Sequence, residues 1–255
     1  MPEDAMSSVS SLVHLKSVSS TNLELKRLQH EHELENGTIL IADYQTDGRG
    51  RNDHTWESKP GDNLLFSTWI HLNTDFSNLA GYSLLPSLAV ADVLQDLGAG
   101  ALCKWPNDIR IDGEKICGIL IECVSSSSKV VKGAIIGIGI NINSCPDDIG
   151  EYNRSTCLNR HIGSIPDFEH IAVCINRAVM AYSEKWLSGK QADVVALWKQ
   201  RCDHMGLPVY VSRNGEKVLG ITKDVTDTGN LLVQIGNELV ELSSEEVLCK
   251  GSGQS

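Results

Sequence analysis

No apolar run in this chain approaches the roughly 20 residues that a membrane-spanning helix needs, so no membrane anchor is expected. The opening stretch, MPEDAMSSVSS, carries acidic residues and no apolar core, so it does not read as a secretory signal. The eight cysteines, at 103, 117, 123, 145, 157, 174, 202 and 249, include no C-x-x-C pair. They read as free thiols of a reducing cytoplasm, not as a zinc site or a disulfide framework. Positive charge is short as well: 22 Lys and Arg against 33 Asp and Glu leave a net charge of -11. That argues against a broad nucleic-acid-binding face. A Walker loop is missing too. Gly137-Ile138-Gly139 lacks the third glycine of a dinucleotide fingerprint and stays strand-like through Ile142. Glycines inside a strand point instead to close approach by a ligand or another segment.

What is present fits one large domain with a small one behind it. Leu12 to Val18 reads as a strand and Leu23 to Leu34 as a helix stopped by Asn36-Gly37. Thr21 with Glu24 fits a capping box. Ser20, Thr21 and Asn22 therefore either cap this helix or turn their side chains toward a polar ligand at its N-terminus. Thr38 to Ala42 and Asn63 to Ile70 read as buried strands, and Leu79 to Leu97 as a core-facing helix ended by Gly98. Pro106 bars a central ladder position, so Ala101 to Ile109 is a strand ending in a turn. Asp112-Gly113 marks a hairpin whose second strand carries Lys115. Residues 125–128 make the next turn, and Val130 to Asn143 is a further strand. Asp167 starts a helix to about Trp186, with Ile171, Cys174, Ala178 and Tyr182 expected inward. A second helix, Gln191 to Cys202, turns Val194, Leu197 and Trp198 inward. From Gly206 the style changes to short strands, 208–212, 217–225, 231–235 and 238–242, separated by turn signals such as Asn214-Gly215. That spacing predicts a small antiparallel barrel. The expected organisation is a domain over 1–205, a β module over 206–250 and a disordered tail over 251–255.

The stretch Tyr44 to Trp69 stands out. Between two strands it holds a long loop without periodicity, a feature uncommon unless functional or mobile. Gly48-Arg49-Gly50-Arg51 alternates flexible backbone with guanidinium forks suited to phosphate or carboxylate oxygens, in an otherwise acidic chain. Trp56 follows and could stack on a flat ring. A solvated charged turn is the alternative.

Taken in order, Ser20-Thr21-Asn22, Gln45, Gly48-Arg49-Gly50-Arg51, Trp56, Lys104-Trp105-Pro106-Asn107-Asp108, Lys115 with Gly118-Ile119-Leu120, and Gly137-Ile138-Gly139-Ile140-Asn141 resemble the biotin protein ligases. The resemblance runs from about 12 to 248, and the C-terminal β module looks like that family's SH3-like domain. The fold it implies is α+β: a mixed central sheet with flanking helices, of the class II synthetase-like catalytic type, followed by a small SH3-like β-barrel. The activity it implies consumes biotin and ATP with Mg²⁺, passes through biotinyl-5′-AMP, and biotinylates a lysine of a biotin carboxyl carrier protein domain. Such a reaction brings a carboxylate against a polyphosphate, which fixed cations must neutralise.

By this resemblance Lys115, Arg49 and Arg51 carry catalysis. Ser20, Thr21, Asn22 and Gln45 meet biotin's ureido ring, Gly48, Gly50 and the two arginines fold over biotin, and Gly118 and Gly139 leave it room against the sheet. Arg51, Trp56, Lys104, Asn107, Lys115 and Asn141 are implied at the adenylate, with Trp56 beside adenine. Asp108 next to phosphates makes sense only if it binds the Mg²⁺ of ATP or orients Lys104 or an incoming amine. One departure is visible: Asp53 and His54 stand where a glycine and a basic residue are usual. Only eleven residues precede Leu12, too few for a three-helix DNA-binding module, so a ligase without repressor function is expected. It would be cytoplasmic, with a homodimer through an exposed sheet edge left open. The rivals are a lipoate ligase or octanoyltransferase and a non-catalytic biotin-sensing module. The Gly-Arg loop, Trp56 and the β module argue against the first, and Lys115 against the second.

Overall fold

The computed structural model describes residues 11–51, 54–125, 129–146, 154–213, 216–242 and 247–248. Residues 126–128 of the turn expected at 125–128, the Asn214-Gly215 turn, the pair Asn52 and Asp53, and the tail 251–255 lie outside that range.

Seven strands make one mixed sheet: β1 (Leu12–Leu15), β2 (Ile39–Ala42), β3 (Leu64–Asp75), β4 (Leu102–Lys104), β5 (Asp108–Ile111), β6 (Glu114–Ser125) and β7 (Val130–Ile140). Their order is β1-β2-β3-β7-β6-β5-β4. Only β1 and β2 run parallel; the other pairs are antiparallel. The crossover between β1 and β2 is α1 (Thr21–Glu31), as parallel neighbours require. Five further elements lie after or between the strands: α2 (Leu84–Asp96), α3 (Phe168–Leu187), α4 (Gln191–Gln200) and short 3₁₀ turns at Phe76–Leu79 and Leu158–Arg160.

Alternation along the strands sorts the two faces. Leu40, Trp69 and Ile135 pack on Leu25 of α1. Ile39, Ile41, Phe66, Ile136 and Ile138 face the other way, into the core shared with α2, α3 and α4. Both faces of β2 are covered, which is why its run Ile39–Ala42 is apolar throughout. α2 is buried on nearly every side and reads accordingly as LLPSLAVADVLQD. It starts later than its pattern suggests because Gly81 (φ +83°) breaks the chain direction there.

Local chemistry fixes the turns. Asp112 (φ 51°) and Gly113 (φ 81°) both occupy the left-handed region, as the tight β5–β6 hairpin demands. The Asp167 side chain accepts from Glu169 N and His170 N at the start of α3. The buried stripe of α3 is Ile171, Ala172, Ile175, Asn176, Val179, Ser183 and Trp186. Cys174, Ala178 and Tyr182, expected inward, are only half-buried. The stripe is rotated because Asn176 is drawn inward: its amide donates to Gly37 O (3.0 Å) and its Oδ1 accepts from Thr68 Oγ1 (2.6 Å). Tyr182 instead donates to Asp92 Oδ2 on α2 at 2.5 Å. On α4, Val194, Val195 and Trp198 are buried while Leu197 is half-buried.

The C-terminal strands β8 (Pro208–Arg213), β9 (Glu216–Val225), β10 (Leu231–Ile235), β11 (Glu238–Leu242) and β12 (Val247–Leu248) form a separate antiparallel sheet, ordered β11-β10-β9-β8-β12. Its apolar residues Val209, Val211, Val225, Leu231 and Val233 join the main core. Two contacts pin it down: Trp105 Nε1 donates to Gly229 O (2.8 Å), and Lys199 Nζ lies 2.8 Å from Asp224 Oδ1.

Trp198 is fully buried between α4 and α2, where its Nε1 donates to Ser87 Oγ at 2.8 Å. Trp198→Ala is expected to cost about 3–5 kcal/mol of stability, read from the midpoint of urea unfolding; a shift worth under about 1 kcal/mol would mean that α4 is not held by this side chain.

Candidate functional site

Register brings the site together. Ser67 on β3 pairs with Gly137 on β7, which pairs with Leu120 on β6. Two residues along, Gly139 pairs with Gly118. All lie on the face that α1 covers. The glycines are needed because other groups lie directly on the backbone. A Cβ on Gly137 would stand 2.3 Å from Asn22 Oδ1, one on Gly139 2.5 Å from Trp56 Cε2, and one on Gly118 2.8 Å from Trp56 Cζ3. Gly118 and Gly139, expected to leave room for biotin, thus receive the indole of Trp56 directly.

The loop before β3 delivers that indole. Thr46 N donates to Val18 O and Asp47 N to Ser19 O, both at 2.9 Å, which docks the loop's start on the chain leading into α1. Residues 54–56 then return against residues 48–50: Trp56 N donates to Gly48 O (2.9 Å) and Gly50 N to His54 O (2.6 Å). A side chain at Gly48 would meet Trp56 O at 2.4 Å, so glycine is required for this return. The Trp56 Nε1–H is buried with no hydrogen-bond partner among the described residues.

Beside this lies a cavity of about 420 Å³, a size suited to a small ligand. One end is neutral and polar, lined by Ser20, Thr21, Asn22 and Gln45. Thr21 N and Thr21 Oγ1 donate to Gln45 Oε1 at 2.7 and 3.1 Å. Asn22 Nδ2 donates to Glu122 Oε2 (2.8 Å) and Leu120 O (3.3 Å). The capping box expected of Thr21 and Glu24 does not form. Ser20 is the N-cap, without a side-chain cap bond, and the Thr21 hydroxyl is used by Gln45 and Ser67.

The other end is cationic. Lys104, Arg110, Lys115, Arg51, Arg49 and Arg154 line it with Asn107 and Asp108. Asp108 stands between two ammonium groups, with Oδ1 2.7 Å from Lys115 Nζ and Oδ2 3.8 Å from Lys104 Nζ. Burial works to raise the Asp108 carboxyl, but Lys115, Lys104 and Arg110 outweigh it and hold the group below its usual range. Of the two roles weighed for Asp108, this geometry supports orienting the lysines. Both its oxygens face ammonium groups, so it does not fit as a metal ligand. Lys115 Nζ also lies 5.8 Å from the Trp56 ring centre. Arg51 Nη1 donates to Asn107 Oδ1 (3.4 Å), while Arg49 pairs with Asp47 (3.5 Å) on the solvent side. Outside the cavity, Cys202, Asp203 and His204 bring ligand-type atoms within 4.8 Å of one another. Asp203 there pairs with Arg110 (3.8 Å) and His204 (3.0 Å), so the cluster closes on itself.

Most residues singled out in the sequence line the cavity; Gly48 and Asn141 do not. Asn141 is buried beneath the segment after residue 153, where its amide donates to Thr156 O at 3.1 Å and its Oδ1 has no partner among the described residues. Four residues were missed. Arg154 reaches the cavity because Lys115 N donates to Arg154 O (2.9 Å) and Thr156 N to Lys115 O (2.9 Å), laying that segment along β6. Arg110 lines it from β5. Ser67 and Glu122 lie just behind the wall. A serine inside the apolar run LLFSTW and a glutamate ending GILIE were the signals available.

A closed polar end and a clustered cationic end on one sheet face define a site for a compact polar ring attached to an anionic group, the arrangement of a carboxylate-activating ligase. The chain belongs to the biotin/lipoate A/B protein ligase family, whose model matches residues 14–141. It is 29% identical over 225 residues to the bifunctional ligase/repressor BirA of Escherichia coli, covering 88% of this chain and 69% of that one. It is 28% identical over 218 residues to the biotin–[acetyl-CoA-carboxylase] ligase of Mycobacterium tuberculosis, covering 83% and 79%. Among solved structures it superposes on the biotin protein ligase of Aquifex aeolicus in complex with biotin and ATP with a TM-score of 0.79 at 27% identity, covering 95% of this chain and all of that one.

The Asp108 carboxyl, depressed in the folded state, contributes stability that is fully present above its unfolded value, about 3.9, and lost as pH falls through the folded value. Asp108→Asn should therefore lower Tm at pH 7, and the gap from the unsubstituted protein should close below about pH 4. Thermal unfolding across that range checks it; a gap independent of pH would contradict the paired-carboxylate geometry.

Proposed function

We propose that this protein is an ATP-dependent biotin–protein ligase acting on a biotin carboxyl carrier protein domain of the acetyl-CoA carboxylase type. The observation that carries the reading is that the neutral polar end and the cationic end belong to one continuous cavity. Biotin has the matching shape: a ureido ring at one end, and a carboxylate at the end of a flexible chain.

In the first step a biotin carboxylate oxygen bonds to the α-phosphorus of ATP and the bond to the bridging oxygen breaks. This gives biotinyl-5′-AMP and pyrophosphate. Lys115 and Lys104, held by Asp108, offset the repulsion between the carboxylate and the phosphates by position and charge. Arg51, steadied by Asn107, closes over the adenylate from the loop. In the second step the amine of a carrier lysine attacks the acyl carbon of the mixed anhydride, AMP leaves, and the amine loses a proton. Mg²⁺ would enter with the phosphates, in keeping with its usual reliance on substrate oxygens, and not on Asp108. Trp56 covers the glycine-lined floor and excludes water from the anhydride. A cytoplasmic location belongs to the same reading; among the described residues no helix is long and apolar enough to cross a membrane.

The test is ATP–pyrophosphate exchange with biotin, with lipoate as comparator. Exchange should depend on biotin and should fall by at least about 100-fold in Lys115→Ala. Exchange with lipoate in place of biotin would move the chain to the lipoate branch of its family. Biotin binding without exchange would make it a sensing module.

A further inference from the structure

Behind the polar end of the cavity runs a chain of hydrogen bonds whose direction is set by groups that do not touch the cavity. It starts at Glu122, a half-buried residue on β6. A carboxylate and a main-chain carbonyl can only accept. Asn22 lies against one of each, Glu122 Oε2 at 2.8 Å and Leu120 O at 3.3 Å. Both hydrogens of its amide nitrogen are thereby directed to β6, and Oδ1 must face the other way. There it meets Ser67 Oγ at 2.6 Å. Ser67 is fully buried and has one hydrogen; because Asn22 Oδ1 cannot donate, that hydrogen is drawn to it. Ser67 Oγ also lies 2.8 Å from Thr21 Oγ1. The Thr21 hydrogen is then used within the chain, on Ser67 Oγ or on Gln45 Oε1 at 3.1 Å. Either way Thr21 offers the cavity lone pairs.

The far end is fixed as firmly. Thr21 N–H donates to Gln45 Oε1 at 2.7 Å, which settles the orientation of the Gln45 amide and turns its Nε2 hydrogens outward. The wall therefore presents an acceptor at Thr21 and a donor at Gln45. Gly137 completes the device: a Cβ there would stand 2.3 Å from Asn22 Oδ1, so its absence lets Asn22 sit at the junction.

We propose that Glu122 and Ser67 are positioning residues that set the donor–acceptor polarity of the ring-binding wall, and so select a ligand presenting an N–H beside a carbonyl, as a ureido ring does. The inference rests on the biotin-ligase reading and deepens it. A dithiolane ring offers no such pair, so this polarity contributes discrimination that packing alone does not.

The experiment measures KM and kcat in pyrophosphate exchange for the full chain carrying Glu122→Leu, Glu122→Gln or Ser67→Ala. Leucine removes the acceptor that anchors Asn22. Glutamine keeps a carbonyl acceptor in the same place and acts as the rescue. In Glu122→Leu and Ser67→Ala the KM for biotin should rise by about tenfold or more, the worth of a buried hydrogen bond left mis-set. The KM for ATP and kcat should stay within about twofold, and Glu122→Gln should return the biotin KM to within about threefold of the unsubstituted protein. An unmoved biotin KM in Glu122→Leu would overturn the proposal. So would equal rises in both KM values, or a failure of glutamine to rescue. An unsubstituted protein that shows no biotin-dependent exchange would defeat the ligase reading and this inference with it. Exchange by the unsubstituted protein together with unmoved variants defeats the relay alone.

Discussion

The whole site depends on bare backbone at three positions of two adjacent strands. Gly118, Gly137 and Gly139 clear one face of β6 and β7, and the polar junction of Asn22 and the indole of Trp56 then lie directly on the sheet. Glycine in a strand normally weakens it, by roughly 0.5–1 kcal/mol relative to alanine. Here the strands tolerate it because β7 is central, paired along its length with β3 and β6. The rest of the molecule serves that floor. The start of α1 brings Ser20 to Asn22 over one side, the loop segment 54–58 lays Trp56 over the other, and the β5–β6 hairpin sets Asp108 and Lys115 at its rim.

The two ends of the cavity use opposite physics. At the polar end the hydrogens of Asn22, Ser67 and Thr21 are committed within a neutral network bounded by one carboxylate, which leaves direction of hydrogen bonding as the means of recognition we propose there. At the cationic end Lys115, Lys104 and Arg110 gather around the Asp108 carboxylate and hold its pKa down. A lone ammonium would be more easily displaced, and a second carboxylate would repel phosphates. One acid between two lysines keeps both in place and leaves the local balance positive in a chain whose net charge is -11. In the proposed reaction, the carboxylate and phosphate oxygens of the substrates would be drawn to this end.

Much of this was legible in residue order. Asp112-Gly113 announced its turn, Asp167 its cap, and the apolar runs their strands, because each rests on local geometry that neighbours do not override. The floor glycines were legible as a request for close approach, but the occupant was not: nothing in Gly118 or Gly139 tells a ligand from an indole supplied by residue 56. Thr21 and Glu24 looked like a capping box because sequence sees the helix end and not Gln45 and Ser67, which claim the hydroxyl. The α3 stripe was misphased for a similar reason, since buried Asn176 binds β3 and the Gly37 turn across more than a hundred residues of chain. Ser67, Glu122 and Arg154 act through register and long-range contact, and their letters alone carry little of that.

We propose that biotin is held in the cavity beside the glycine-cleared sheet face, with the Trp56 indole seated on those glycines as one of its walls. Equilibrium dialysis of biotin against Gly139→Ala tests it most directly. The added methyl would stand 2.5 Å from Trp56 Cε2, and the indole must move to accommodate it. The account predicts a fall in biotin affinity of about 100-fold, the upper reach of one steric mismatch in a site, with Tm held within about 4 °C, a change of about 1 kcal/mol or less. Unchanged biotin affinity in a folded Gly139→Ala protein would contradict it.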